Sequence, residues 1–69
     1  MGDIDRKKKI ERILEFVKEH MESTATGAVF GRILGRYGME VSDESLRKLR
    51  NGLNKADDDE VDSLYTIIS

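Results

Sequence analysis

Apolar side chains recur at helical spacing four times along this chain and show no convincing strand alternation. Ile10, Ile13, Leu14, Val17 and Met21 fall at i, i+3, i+4, i+7 and i+11, so they form one stripe on a first helix predicted over about residues 4–21. Lys8, Glu11, Arg12 and Glu15 take its polar side. Asp3 and Asp5 put negative charge at the end where the helix dipole favours it. Residues 22–27, rich in Ser and Thr, read as a break. A second helix then runs to about residue 37, with Val29, Phe30, Ile33, Leu34 and Tyr37 on one face and Gly38 as a left-handed stop. After a short connector over residues 39–41, Ser42 reads as the N-cap of a third helix. Asp43 and Glu44 lie in its first turn, Leu46, Leu49 and Leu53 on its buried stripe, and Gly52 and Asn54 at its end. Asp57 with Glu60 three residues later reads as a capping-box-like start of a fourth helix, whose apolar face is Val61, Leu64, Tyr65 and Ile68. The expected fold is all-α: a compact four-helix bundle containing a helix-turn-helix-like unit, in one domain over residues 1–69.

Size and composition narrow what such a bundle can do. At 69 residues and 7.9 kDa the chain has room for one domain with a thin margin of stability. It has no Cys for a disulfide or a thiolate zinc site. No apolar run approaches the roughly 20 residues of a membrane span. Arg6 to Lys9 leads into a mixed amphipathic stretch rather than the apolar block of a secretory leader, so a cytoplasmic location is expected.

Catalytic signatures are weak. The single His20 has no Cys partner and no metal-ligand spacing, and reads as a helix C-terminal residue beside the dipole. The acidic run 57–60 lacks the spacing of a calcium loop, and Gly27, Gly31 and Gly35 are not followed by the Lys-Ser/Thr of a phosphate loop. So small a domain also struggles to form a substrate pocket. The expectation is a chain that is not an enzyme and carries no metal or cofactor.

The net charge of −2 conceals a gradient. Residues 1–55 carry twelve basic and nine acidic side chains, whereas residues 56–69 carry five acids and no base. Part of that acidic block is ordinary helix N-terminus chemistry. Arg47, Lys48, Arg50 and Lys55 make the third helix basic, and an amphipathic helix with basic outward positions suits nucleic-acid phosphates.

Residues 38–68 read Gly-x-x-Val-Ser-x-x-Ser-Leu-x-x-Leu-x-Asn-Gly, then a short gap, then Val-x-x-Leu-Tyr-x-x-Ile. This stretch resembles the Cro/CI-type phage repressor domains. The likeness rests on Ser42 and Ser45 at the helix start, Leu46 and Leu49 as the buried pair, Asn51-Gly52 as the helix end, and Val61, Leu64 and Ile68 on the next helix. It extends loosely over residues 29–37 as a supporting helix. The resemblance implies a third helix in the DNA major groove, with the helix before it crossing the backbone. It implies that Ser42 caps the third helix and meets a phosphate, that Arg47 and Lys48 face the groove, and that Arg50 lies on the flank. Asn51 and Lys55 would touch the backbone through the segment after the helix, and Arg32 and Arg36, one turn apart on the second helix, would contact the same strand. The chain departs from the family in a turn over residues 38–42 that is roughly two residues longer than usual. It also departs in Asp43 and Glu44, which occupy positions of neutral base readers. For a DNA ligand, Arg32, Arg36, Arg47, Lys48 and Lys55 should share one surface, with the carboxylates of residues 57–62 elsewhere.

Gly27, Gly31 and Gly35 recur every four residues and would share one side of the second helix. Each mid-helix Gly costs roughly 0.5–1 kcal/mol relative to Ala, so the stripe suggests a close approach. The neighbour is a helix of the same chain, a second copy making a homodimer, or a foreign backbone.

Two functions fit these residues. The first is a small DNA-binding helix-turn-helix regulator of phage or mobile-element type, acting on double-stranded DNA, as a dimer on paired half-sites. The second is a helical protein-interaction module, an antirepressor or inhibitor without DNA binding. Asp43, Glu44 and the acidic end favour the second.

Overall fold

The apolar stripes form four helices: α1 (Asp3–Glu19), α2 (Thr24–Leu34), α3 (Asp43–Lys55) and α4 (Asp58–Ile68). The computed structural model describes residues 3–36 and 40–68, and among these there is no strand. The chain is an all-α four-helix bundle. Its Cα radius of gyration is 10.8 Å, against about 11 Å expected for one compact body of this length. None of the described helices is long and apolar enough to cross a membrane.

Local chemistry sets where each helix starts and stops. α1 closes at Glu19, before the predicted residue 21. The His20 N–H still bonds the Phe16 carbonyl (2.8 Å), but the His20 carbonyl accepts from the Ser23 N–H (3.1 Å) and from the buried Thr26 hydroxyl (2.5 Å), which turns the chain. Met21, expected on the buried stripe, lies within that turn and is 57% exposed.

α2 starts earlier than its sequence suggests. Ser23, in extended conformation, accepts the Ala25 N–H at 3.2 Å and so caps a helix that opens inside the expected break. It also ends earlier. Gly35 adopts φ 71° and donates its N–H to the Gly31 carbonyl, so Gly35 is the left-handed stop. Tyr37, Gly38 and Met39, assigned above to a helix face, a stop and a connector, lie outside the described residues.

α3 is held at its start by a reciprocal capping box. The Ser42 hydroxyl accepts the Ser45 N–H (3.3 Å), and the Ser45 hydroxyl accepts the Ser42 N–H (2.7 Å). Gly52 and Asn54 do not end this helix, which continues to Lys55. A Cβ on Gly52 would collide with Cγ2 of Ile33, so glycine there lets α3 close on α2. α4 opens as expected at Asp57, whose carboxylate accepts the Glu60 N–H at 3.0 Å.

The core consists of Ile10, Ile13, Leu14 and Val17 of α1, Val29 and Phe30 of α2, Leu49 and Leu53 of α3, and Val61 and Leu64 of α4. Each such side chain stabilises the fold by about 1.5–3 kcal/mol when fully buried. Leu46, expected among them, is only half-buried. α1 packs on α3 and α4, and α2 packs on the same two helices. Ionic contacts give the directions. Arg6 bonds the Leu53 and Asn54 carbonyls (3.0 and 3.1 Å) while Glu11 pairs with Arg50, so α1 and α3 run antiparallel. Arg6 pairs with Asp58 and Lys9 with Asp62, each at 2.5 Å, so α1 and α4 run parallel. α3 is therefore clasped along one flank by α1 and touched on the other by the end of α2, with its remaining face outward.

Candidate nucleic-acid interface

The outward face of α3 follows from its period. Ser45, Leu49 and Leu53 point inward, which leaves Asp43, Glu44, Arg47, Lys48, Arg50, Asn51, Asn54 and Lys55 exposed. The side chains of Arg47, Asn51 and Lys55 make no hydrogen bond or ion pair with another described residue. Lys48 reaches Glu44 one turn earlier at 3.5 Å. Arg50 presents two guanidinium nitrogens to the Glu11 carboxylate of α1. Asn51 and Lys55 belong to the helix itself, not to a segment after it.

The other predicted contacts are placed differently. Arg32 faces Glu60 of α4, with Nε to Oε1 at 3.3 Å and Nη2 to Oε2 at 3.5 Å. Arg36 is exposed but lies beyond the end of α2, so it is not one helical turn from Arg32. The connection from Gly35 to Ser42 is longer than the helix-turn-helix turn of about three or four residues. The Ser42 hydroxyl is engaged in its capping box. Of the three glycines, Gly27 and Gly31 lie in α2, whereas Gly35 is its cap. A Cβ at Gly27 would meet nothing within 4 Å, so no close approach among the described residues explains that glycine.

Two shallow depressions flank α3. One, of about 470 Å³, is lined by Arg32, Ile33, Gly52, Lys55, Ala56, Asp57 and Glu60. The other, of about 320 Å³, is lined by Leu14, Lys18, Asp43, Leu46, Arg47 and Arg50. The basic residues expected on one surface are thus divided. Arg32 and Lys55 sit beside Asp57 and Glu60, while Arg47 and Arg50 sit with Lys18 of α1. Sequence reasoning missed Lys18. Its signal was the spacing Lys7, Glu11, Leu14, Lys18, one stripe along α1.

The acidic end is largely engaged within the molecule. Asp57 caps α4, Asp58 pairs with Arg6, Glu60 with Arg32, and Asp62 with Lys9. The Asp62 hydrogen bond, with the charges of Asp62 and Asp5, holds the Lys9 ammonium above its ordinary pKa of 10.5 against a smaller opposing effect of desolvation. His20 stacks on Phe16 with ring centroids 4.5 Å apart, at the end of α1. Among the described residues, no group of three or more His, Cys, Asp or Glu side chains could hold a metal ion.

No protein-family model, curated protein sequence or solved structure matches the chain.

Proposed function

We propose that this chain is a small double-stranded-DNA-binding protein that presents α3 to a groove, acting as a transcriptional regulator of phage or mobile-element type. The observation that carries this reading is the outward face of α3, where Arg47, Asn51 and Lys55 are exposed and unpaired. An arginine serves phosphates or guanine and an asparagine side chain suits adenine, so this face has the chemistry of a groove reader. Arg32 and Lys55 lie beside Asp57 and Glu60 and not on one surface with Arg47, so the reading rests on the outward face of α3 and not on the arginines of the second helix. Two copies would set two α3 helices on paired half-sites.

A mobility shift with random duplex tests the reading. Binding is expected at about 50 mM salt and should weaken steeply by about 200 mM, as counterion release requires. An unshifted duplex at about 50 mM salt rejects it.

Asp43 and Glu44 favour the second reading, a protein-interaction module of antirepressor or inhibitor type. Both carboxylates are exposed at the start of α3 and would meet a basic protein surface. The double variant Asp43→Asn/Glu44→Gln separates the two. It should tighten binding to duplex under the DNA reading. Under the protein reading, neither it nor the wild type binds duplex.

A further inference from the structure

The charge on the two flanks of α3 is not equivalent, and this bears on where a phosphate backbone would lie. In the depression on the α2 side, Arg32 is paired with Glu60, and Lys55 shares the wall with the Asp57 carboxylate. Cations and carboxylates balance there. In the cleft between α1 and α3, Lys18, Arg47 and Arg50 face Asp43, and Glu11 takes Arg50. The balance is positive, and Lys18 and Arg47 remain exposed with no ion-pair partner among the described residues.

Geometry adds to charge. Because α1 runs antiparallel to α3, the last turn of α1 lies beside the first half of α3, which sets Lys18 against Arg47 across a floor of Leu14 and Leu46. Lys7 extends the same α1 stripe toward its N-terminus. A phosphodiester beside such a cleft meets cations from two helices at once.

We infer that the DNA backbone tracks over the α1–α3 cleft, with Lys18 and Arg47 as phosphate contacts, and not over α2 as the helix-turn-helix pattern implies. This rests on the DNA-binding reading above. Asp43 is the one carboxylate lining the cleft among the described residues, and its removal should strengthen the contact.

Anisotropy of a labelled random duplex of about 20 base pairs, titrated between about 50 and 200 mM salt, tests the path. Lys18→Gln and Arg47→Gln should each weaken binding about three- to tenfold and flatten the salt slope by about one. Lys18→Arg should bind like the wild type, Asp43→Asn should bind more tightly, and Arg36→Gln should lose less than either neutralised cleft cation. Circular dichroism checks that each variant keeps its helices. The inference is overturned if the wild type binds while Lys18→Gln and Arg47→Gln keep its slope, or if Arg36→Gln carries the loss instead. A wild type that does not bind is a different result: it removes the DNA reading and this path with it.

Discussion

The two flanks of α3 use the same kinds of residue to different ends. On the α2 side a glycine meets a β-branched side chain, and Arg32 and Glu60 close over the seam, so the chemistry is spent on contact between helices. On the α1 side the helices meet through Leu14 and Leu46, and one arginine is tied while another and a lysine stay open to solvent. Side chains that complete the bundle and side chains available to a ligand are thus separated by the width of one helix. A small domain with no spare surface gains from that separation, because a change on one flank leaves the other standing.

Substitutions can break this separation or sharpen it. The largest effect should come from Leu49, which is buried under both flanks. Leu49→Ala should cost about 2–5 kcal/mol. A domain of this size has a total stability of only about 3–10 kcal/mol, so thermal or urea unfolding should show much of the protein already unfolded. Retention of full stability would mean that the flanks do not share a core.

Gly52→Ala comes next and probes the α2 side alone. Alanine raises helix propensity by up to about 1 kcal/mol, but the collision with Ile33 should outweigh it and leave a net loss of about 1–2 kcal/mol. In the background of Ile33→Ala, which removes Cγ2, the same change should become neutral or favourable. Additivity in that double-mutant cycle would refute the close approach.

Arg6→Met tests the corner that both flanks lean on. The guanidinium bonds three carbonyls at the end of α3 and the Asp58 carboxylate at the start of α4. Its loss should cost about 1–3 kcal/mol, read from the urea midpoint.

A smaller pair of changes compares the ionic contacts directly. Glu11→Gln and Glu60→Gln should each alter stability by less than about 1 kcal/mol. Only Glu11→Gln, which frees Arg50 beside the cleft, should raise duplex affinity. Equal gains from both would erase the distinction between the flanks.

The smallest effect is the pH dependence of Lys9. Its pKa is raised in the folded state above 10.5, so its contribution is complete below that value and fades as pH climbs through the folded pKa. The stability gap between wild type and Lys9→Met should therefore narrow at alkaline pH. A gap that widens would mean that the Asp62 contact does not form.

Much of this architecture was legible in the order of residues. All ten core side chains lie on stripes that the helical period marks out, and Ser42 and Asp57 announce their caps by type and spacing. The misreadings have local causes. Gly35 and Gly38 carry the same stop signal, and the apolar Tyr37 extended the second helix to the later one. Gly52 beside two asparagines looks like a helix end, and only Ile33, distant in sequence, explains why it is a contact. The site was less legible for the same reason. Glu60 takes Arg32 and Glu11 takes Arg50 across separations of 28 and 39 residues, which no local spacing encodes. Lys18 belonged to a readable stripe, but its importance depends on the helix that lies against it.

The parallel pairing of α1 with α4 also has a consequence for how the chain acquires its structure. Arg6 and Lys9 find partners 52 and 53 residues later. On the ribosome α1 emerges before the other three helices, yet its stripe of Ile10, Ile13, Leu14 and Val17 packs chiefly on α3 and α4, which follow later. At roughly 5–20 residues per second, that stripe stays open for seconds. Contacts so far apart in sequence also slow closure relative to an ordinary helical bundle, whose contacts are mostly local. Of the four helices, the one made earliest waits longest for its main partners.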